Sequence, residues 1–346
     1  MKNIIVPIFV PHKGCPHDCI FCNQKRITGS IESMTPQEAR NIIEEYMENL
    51  DPEKSLEIAF FGGSFTAIPR DEQEELLEVA WEYKQRGLVR DIRLSTRPDA
   101  ISQDQLDFLK YYGVTTIELG VQSMDRTILD VSNRGHDDVC VHESSRLILK
   151  NGFKLGLQMM VGLPGDSLEK ELYTLREFLK IAPQFIRIYP VLVIRDTELE
   201  SLFKNKIYEP LTVEETIERV KKLLVICEKN DLKVIRVGLQ TSEDISLGKD
   251  VLGGPFHPSL REKIEARMYR DFFEIVLKQK SAKIFNVPQR EISKALGNKK
   301  ENVDFLRTFY SNEIQIKAHQ KDTISIEGEE FSRQDFVEKL NVLYGL

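Results

Sequence analysis

Apolar, strand-like runs alternate with helix-period stretches over the first two thirds of the chain. Residues 4–10, 56–61, 92–95, 115–119, 153–161 and 185–191 read as strands. Helical patterns fill the gaps. One starts at Thr35, a capping candidate, with Pro36 at the first helical position and Glu38 placed to close a capping box. Others run over 71–86 (closed by Gly87), from cap candidate Ser102 to just before Gly113, and near 137–150, 167–181 and 212–229. Strand–helix units repeated in this way imply a parallel sheet with right-handed crossovers. The pattern is compatible with a doubly wound sheet or with a sheet curled into a partial barrel. In either case ligands gather at the carboxyl ends of the strands.

Beyond about Val237 the alternation stops, and Gly253-Gly-Pro-Phe-His257-Pro is rich in turn residues. A helix over 260–278, a short strand near 283–286 and a helix over 289–296 follow. Two alternating strands, 313–318 and 323–327, and a terminal helix close the chain. The expectation is a core domain over 1–240 and a small α+β accessory region over 241–346.

Composition narrows the class. With 346 residues, 41% hydrophobic and 30% charged, the chain can bury a substantial core and has no apolar run long enough to span a bilayer. The N-terminus has no signal-peptide pattern and cysteines are few, which points to a reducing, cytoplasmic setting and no membrane association. The net charge of −7 speaks against general nucleic-acid affinity, but residues 261–300 carry +6 and the remainder −13. Such a segment suits RNA, and it equally suits the solvated face of one or two helices.

The chemistry concentrates in Cys15-Pro-His-Asp-Cys19-Ile-Phe-Cys22, which holds three of the five cysteines directly after the first strand. Thiolates this close collect a metal or form a disulfide, and an odd number cannot pair off among themselves, which favours metal. A zinc site and an iron–sulfur cubane each want four ligands, and a metal atom left one ligand short can bind a small molecule. A zinc knuckle completed by His12 or His17 is the alternative these residues leave open. Cys140 and Cys227 fall in apolar helical contexts and read as core residues.

The spacing Cys-x3-Cys-x2-Cys, with Phe21 before the last cysteine, resembles the radical S-adenosylmethionine (SAM) superfamily. The resemblance implies the partial (β/α)6 barrel. It also implies that Cys15, Cys19 and Cys22 hold three irons of a 4Fe-4S cluster, whose remaining iron takes the amino and carboxylate groups of SAM. One electron then cleaves SAM to methionine and a 5′-deoxyadenosyl radical. Gly62 and Gly63, at the end of the second strand, let the backbone approach a ligand closely, and in the family such a pair meets the SAM amino group. In Glu118-Leu-Gly120-Val-Gln122 and Asn133-Arg134-Gly-His136, Gln122 can donate and accept, and Arg134 suits a carboxylate. Both resemble SAM-holding positions. Gln158 stands where relatives carry a polar residue near the ribose. Gly162, in Gly162-Leu-Pro164-Gly165, and Phe21 fall near the adenine. Ser95 departs from relatives that carry a carboxylate there.

Tyr189-Pro190-Val-Leu-Val-Ile194-Arg195-Asp196-Thr197 resembles the elongator catalytic subunit, which modifies wobble uridine in transfer RNA. The likeness runs from about Val6 to Val237 and extends to the oxygen-independent coproporphyrinogen oxidase branch. Arg195 would face the same mouth, toward SAM or an anionic substrate. The compact cysteine interval departs from the elongator pattern, and the stretch after Val237 shows no acetyl-CoA phosphate loop. The resemblance therefore implies a stand-alone radical SAM enzyme with a flavodoxin or ferredoxin as one-electron donor and RNA, foremost transfer RNA, as substrate. A porphyrin-like or other small-molecule substrate is the second reading, and a non-enzymatic zinc- or RNA-binding module the third.

Overall fold

The computed structural model describes residues 4–10, 19–23, 34–48, 51, 54–239 and 247–346. They divide into two compact units, Met1–Pro210 with Gln240–Gly254, and Leu211–Leu239 with Pro255–Leu346.

In the first unit, strands β1 (Ile4–Val10), β2 (Leu56–Gly62), β3 (Val89–Thr96), β4 (Thr116–Gln122), β5 (Lys154–Val161) and β6 (Phe185–Pro190) lie side by side in chain order. Every pairing from β1 to β6 is parallel. The alternation is compatible with this parallel sheet, and the resemblance implies its partial β/α barrel form. The helices between strands start where the side-chain chemistry allows. Thr35 and Glu38 close their capping box ahead of Pro36–Glu48, the Glu38 amide donating to Thr35 Oγ1 at 3.2 Å and the Thr35 amide to Glu38 Oε2 at 2.8 Å. Ser102 and Ser167 cap Gln103–Tyr111 and Leu168–Ile181. Two short helices, Arg126–Val131 and Glu198–Lys204, and a two-residue strand β7 (Val193–Ile194) add to the expected set. β7 pairs antiparallel with Val251–Gly253.

Side chains alternate across the sheet. One face is apolar and fully buried, with Ile58, Ile92, Leu94, Ile117, Leu119, Leu157 and Ile188 among its members. The opposite face, which lines the lumen, carries Glu57, Arg93, Glu118 and Arg187 at the corresponding alternate positions of β2, β3, β4 and β6. Parallel strands in α/β proteins are ordinarily apolar on both faces, so this charged row needs its own account.

The second unit contains Val213–Lys229, whose Thr212 and Glu215 form a capping box. That helix packs on Leu260–Gln279 and on the terminal helix Arg333–Tyr344. The division thus differs from a single cut after residue 240, because the apolar face of Val213–Lys229 is matched by those helices. A four-stranded sheet runs in the order Gln315–His319, Ile284–Pro288, Ile324–Ile326, Glu329–Phe331, with the first pair parallel and the others antiparallel. Its core is aromatic: Phe272, Phe273, Phe285 and Phe336 are fully buried with Tyr269. No helix among the described residues is long and apolar enough to cross a membrane.

Candidate active site

Cys19, Gln122 and Arg134 meet at the carboxyl end of β4, around Gly120. Arg134 is buried and donates through Nη1 to Cys19 Sγ at 3.0 Å and through Nη2 to the Gly120 carbonyl. Its backbone is held in turn by Arg97, whose Nη2 donates to the Arg134 carbonyl and whose Nε meets Asp99 Oδ1 at 2.8 Å. Gln122 sits at φ +77, in the left-handed region that a side chain adopts only when its surroundings impose it. A Cβ on Gly120 would lie 3.3 Å from Gln122 Nε2, a tight approach, and 3.6 Å from Arg134 Nη2, an ordinary contact, so the bare glycine gives the Gln122 amide room at the strand end.

Two buried polar atoms in this cluster have no hydrogen-bond partner among the described residues, Arg134 Nε and Gln122 Oε1. A buried donor or acceptor left without a partner costs about 1–3 kcal/mol. A ligand bringing a carboxylate to Arg134 and a donor group to Gln122 would remove that cost. The residues present therefore fit a SAM-like group beside a cysteine-held metal.

The cysteine segment is stapled to its surroundings. The Ile20 amide donates to the Ser132 carbonyl at 3.3 Å, and the Leu199 amide donates to the Ile20 carbonyl at 2.8 Å. Cys19 and Cys22 are joined by the turn bond from the Cys22 amide to the Cys19 carbonyl, 2.9 Å. Cys15 lies outside the described residues, and among those described no group of three His, Cys, Asp or Glu side chains forms a metal site. Phe21 is half-buried and packs on the apolar cluster that includes Ile20, Ile128, Leu163, Val193 and Leu199. Asn23, which the sequence reading did not single out, donates from Nδ2 to the carbonyls of Arg195 and Asp196, 3.2 Å each. An amide one residue past a metal-ligand motif was the available signal.

The other expected residues take varied positions. Gly62 ends β2 at φ +106, and the Gly63 amide donates to the Val10 carbonyl at 3.0 Å. Gln158 is the register partner of Gly120. Gly162 spends both backbone groups on the protein, donating to Glu171 Oε1 at 3.0 Å and accepting from the Tyr208 hydroxyl at 2.7 Å. Arg195 turns its guanidinium to the Lys249 carbonyl, with Nη2 at 2.9 Å. Arg195 is thus tied to the cysteine loop through its backbone, and no described hydrogen bond joins its guanidinium to the Arg134 cluster.

Below this cluster the lumen charges form a ladder. Glu57 Oε1 accepts from Arg93 Nε at 2.8 Å and Nη2 at 2.6 Å. Arg93 Nη1 reaches Glu118 Oε1 at 2.9 Å. Arg187 grips Glu118 bidentately, Nε to Oε2 at 2.6 Å and Nη2 to Oε1 at 3.0 Å. Glu118 is 0% exposed. Burial pulls the Arg187 pKa down, but the Glu118 carboxylate and the Tyr189 hydroxyl more than offset it and the net shift is upward. His136, behind Arg134, is buried, and burial followed by the Arg134 charge pushes its pKa down to about 3.

A family model described as the radical SAM superfamily matches residues 9–178, and one described as the radical SAM C-terminal domain matches 183–270. The chain belongs to the radical SAM superfamily. As a radical SAM enzyme it is 31% identical over 233 residues to Elongator complex protein 3 of Bos taurus, covering 62% of this chain and 42% of that protein. It is 29% identical over 257 residues to the tRNA uridine(34) acetyltransferase of Methanocaldococcus infernus, covering 62% and 48%. An uncharacterized protein of Methanocaldococcus jannaschii is 29% identical over 218 residues, covering 60% and 67%. The chain therefore spans less than half the length of the Elongator and acetyltransferase relatives. Among solved structures, the archaeal Elp3 of Methanocaldococcus infernus with its N-terminus deleted superposes with a TM-score of 0.62 at 23% identity, covering 78% of this chain and 64% of that one. That likeness is one of fold.

Proposed function

We propose that this radical SAM enzyme binds a 4Fe-4S cluster through Cys15, Cys19 and Cys22, cleaves SAM reductively, and directs the radical to an RNA base, with transfer RNA as first candidate. The observation that carries the first part is the cluster of Cys19, Gln122 and Arg134 around Gly120, with Arg134 Nε and Gln122 Oε1 buried and unpaired among the described residues. When bound, the cluster and SAM together supply a one-electron cleavage that yields a 5′-deoxyadenosyl radical.

The chain's residues bind, orient and shield. Arg134 meets the methionine carboxylate through Nε, while Arg97 and Asp99 keep its backbone in place. Gly62 and Gly63 let the backbone reach the amino group, Gln122 and Gln158 take the ribose side, and Phe21 with the loop at Gly162 borders the adenine. Arg195 secures the cysteine loop through Asn23 and leaves its remaining N–H groups for an anion at the mouth. A flavodoxin or ferredoxin is the proposed electron donor.

The RNA part draws its support from what the relatives' names say of those proteins. The basic segment supports it less than its formal charge suggests. Lys263, Arg267, Lys280, Lys283, Arg290 and Lys294 each pair with a carboxylate. Arg270, Lys278, Lys299 and Lys300 are the cations of that segment with no ion pair among the described residues. A polyanionic small molecule has less support still, because Arg93 and Arg187, the described lumen cations, are committed to Glu57 and Glu118.

The test is SAM binding by calorimetry to anaerobically reconstituted protein. Arg134→Gln should weaken it roughly 10- to 100-fold, as expected for losing a charge-assisted hydrogen bond of about 1.5–3 kcal/mol. Unchanged affinity would remove Arg134 from the site.

A further inference from the structure

The charged ladder ends beside an amide whose orientation it dictates. Glu118 Oε1 accepts from Arg93 Nη1 at 2.9 Å and Arg187 Nη2 at 3.0 Å. Oε2 accepts from Arg187 Nε at 2.6 Å and Gln158 Nε2 at 3.3 Å. A carboxylate has about four lone-pair sites, so these four donors fill it. Glu118 itself therefore has nothing left to offer a ligand, although it stands on β4 in register with Ser95.

What it does is fix a neighbour. A carboxylate clamped between two guanidiniums is an acceptor on every site, so Gln158 must turn its NH2 toward it. The reverse orientation would set the amide oxygen against a carboxylate oxygen in a buried, low-dielectric place. Glu118 cannot swing aside to permit that, since Arg93 is anchored in turn by Glu57 at 2.6 Å. The Gln158 oxygen is thereby left to the lumen, and it accepts no hydrogen bond from any described residue. Gln122 Oε1, near Gly120, is likewise buried with no partner among the described residues.

We propose that Glu118 is a positioning residue that locks Gln158 as a hydrogen-bond acceptor, so that the site selects a ligand carrying a hydroxyl donor, namely a ribose hydroxyl of the adenosyl group. This rests on the SAM-binding reading above and assigns the polarity of that site to a residue that never touches the ligand. An acceptor-only replacement of the hydroxyl, or its removal, leaves the Gln158 oxygen desolvated and unpaired.

The experiment uses the cluster-loaded full chain and calorimetric binding of S-adenosylhomocysteine and its 2′-deoxy and 3′-deoxy analogues. The native protein should bind one of the deoxy analogues about 5- to 10-fold more weakly than the parent, the usual worth of one neutral hydrogen bond. Gln158→Leu should erase that discrimination. Glu118→Gln should shrink it, because a neutral partner lets the Gln158 amide turn either way. Trp81 fluorescence and cluster absorbance would show whether Glu118→Gln is folded, and Gln158→Leu disturbs no charge if it is not. Native protein that binds the parent and both analogues equally overturns the inference while leaving the SAM reading intact. Discrimination that persists undiminished in Gln158→Leu overturns it too. Failure to bind the parent compound at all takes down both.

Discussion

Replacing Arg187 by methionine tests the lumen ladder at its most buried point. The substitution keeps a long side chain near Phe61, over whose ring the guanidinium carbon lies 5.3 Å from the centroid, but removes two of the four donors on Glu118. Glu118 is 0% exposed, so the loss cannot be made good by water without opening the barrel. Breaking a buried ion pair by deleting one partner costs about 3–5 kcal/mol. Arg93 and Gln158 still face the carboxylate, so the lower end, about 3 kcal/mol, is expected. Removing both charges, as Glu118→Leu with Arg187→Met, leaves Arg93 with Glu57 and should be less costly than Arg187→Met alone, since it leaves no buried charge unmatched. Trp81 is the single tryptophan and belongs to the first unit, so urea unfolding followed by its fluorescence reports that unit. A loss below about 1 kcal/mol for Arg187→Met, or strict additivity in the double variant, would refute the reasoning.

Gly156→Ala should destabilise the first unit by about 1–3 kcal/mol, because its Cβ would clash with the Phe185 ring; the same urea assay reads it. Gly120→Val should weaken SAM binding at least tenfold by calorimetry, because its side chain crowds the Gln122 amide, 3.3 Å from where the Cβ would sit, and unchanged affinity would contradict this. His136 is held neutral with its pKa at about 3, against an unfolded value of about 6.5. The unfolded chain alone then takes up a proton as pH falls below about 6.5, so stability falls from there toward pH 3 by about 1.4 kcal/mol per unit. At pH 5.5 His136→Asn should lack this loss, and an identical pH profile for variant and parent would contradict the assignment. If RNA binds through the four unpaired cations of 261–300, log affinity should fall against log salt with a slope of roughly 3, and a slope near zero would move the RNA surface elsewhere.

The strand–helix order was legible because it is written locally. Thr35 with Glu38, Ser102, Ser167 and Thr212 each carry their capping chemistry beside the helix they start. The helix Glu301–Phe309 went unread because Lys300 precedes it in a left-handed conformation with no side-chain cap. β7 and its partner Val251–Gly253 are short and far apart in sequence, so neither carries a pattern of its own. At the site, Gln122 and Arg134 were read from their motifs and the structure gathers them with Cys19. Gly162 and Arg195 were read as ligand contacts, and their described hydrogen bonds go to the protein itself. The ladder escaped notice because each strand contributes a single member to it. Its signal is visible only across strands, as Glu57, Arg93, Glu118 and Arg187 alternate in sign along β2, β3, β4 and β6.

The central claim is that the cysteine loop holds an iron–sulfur cluster that cleaves SAM. Its most direct measurement is metal and sulfide analysis of anaerobically reconstituted protein, followed by assay for 5′-deoxyadenosine after adding SAM and dithionite. The account predicts about four iron and four sulfide per chain, as one cubane requires, with slow 5′-deoxyadenosine release that is lost in Cys19→Ala and Cys22→Ala and kept in Cys140→Ala. One zinc per chain with no sulfide, and no 5′-deoxyadenosine, would contradict it.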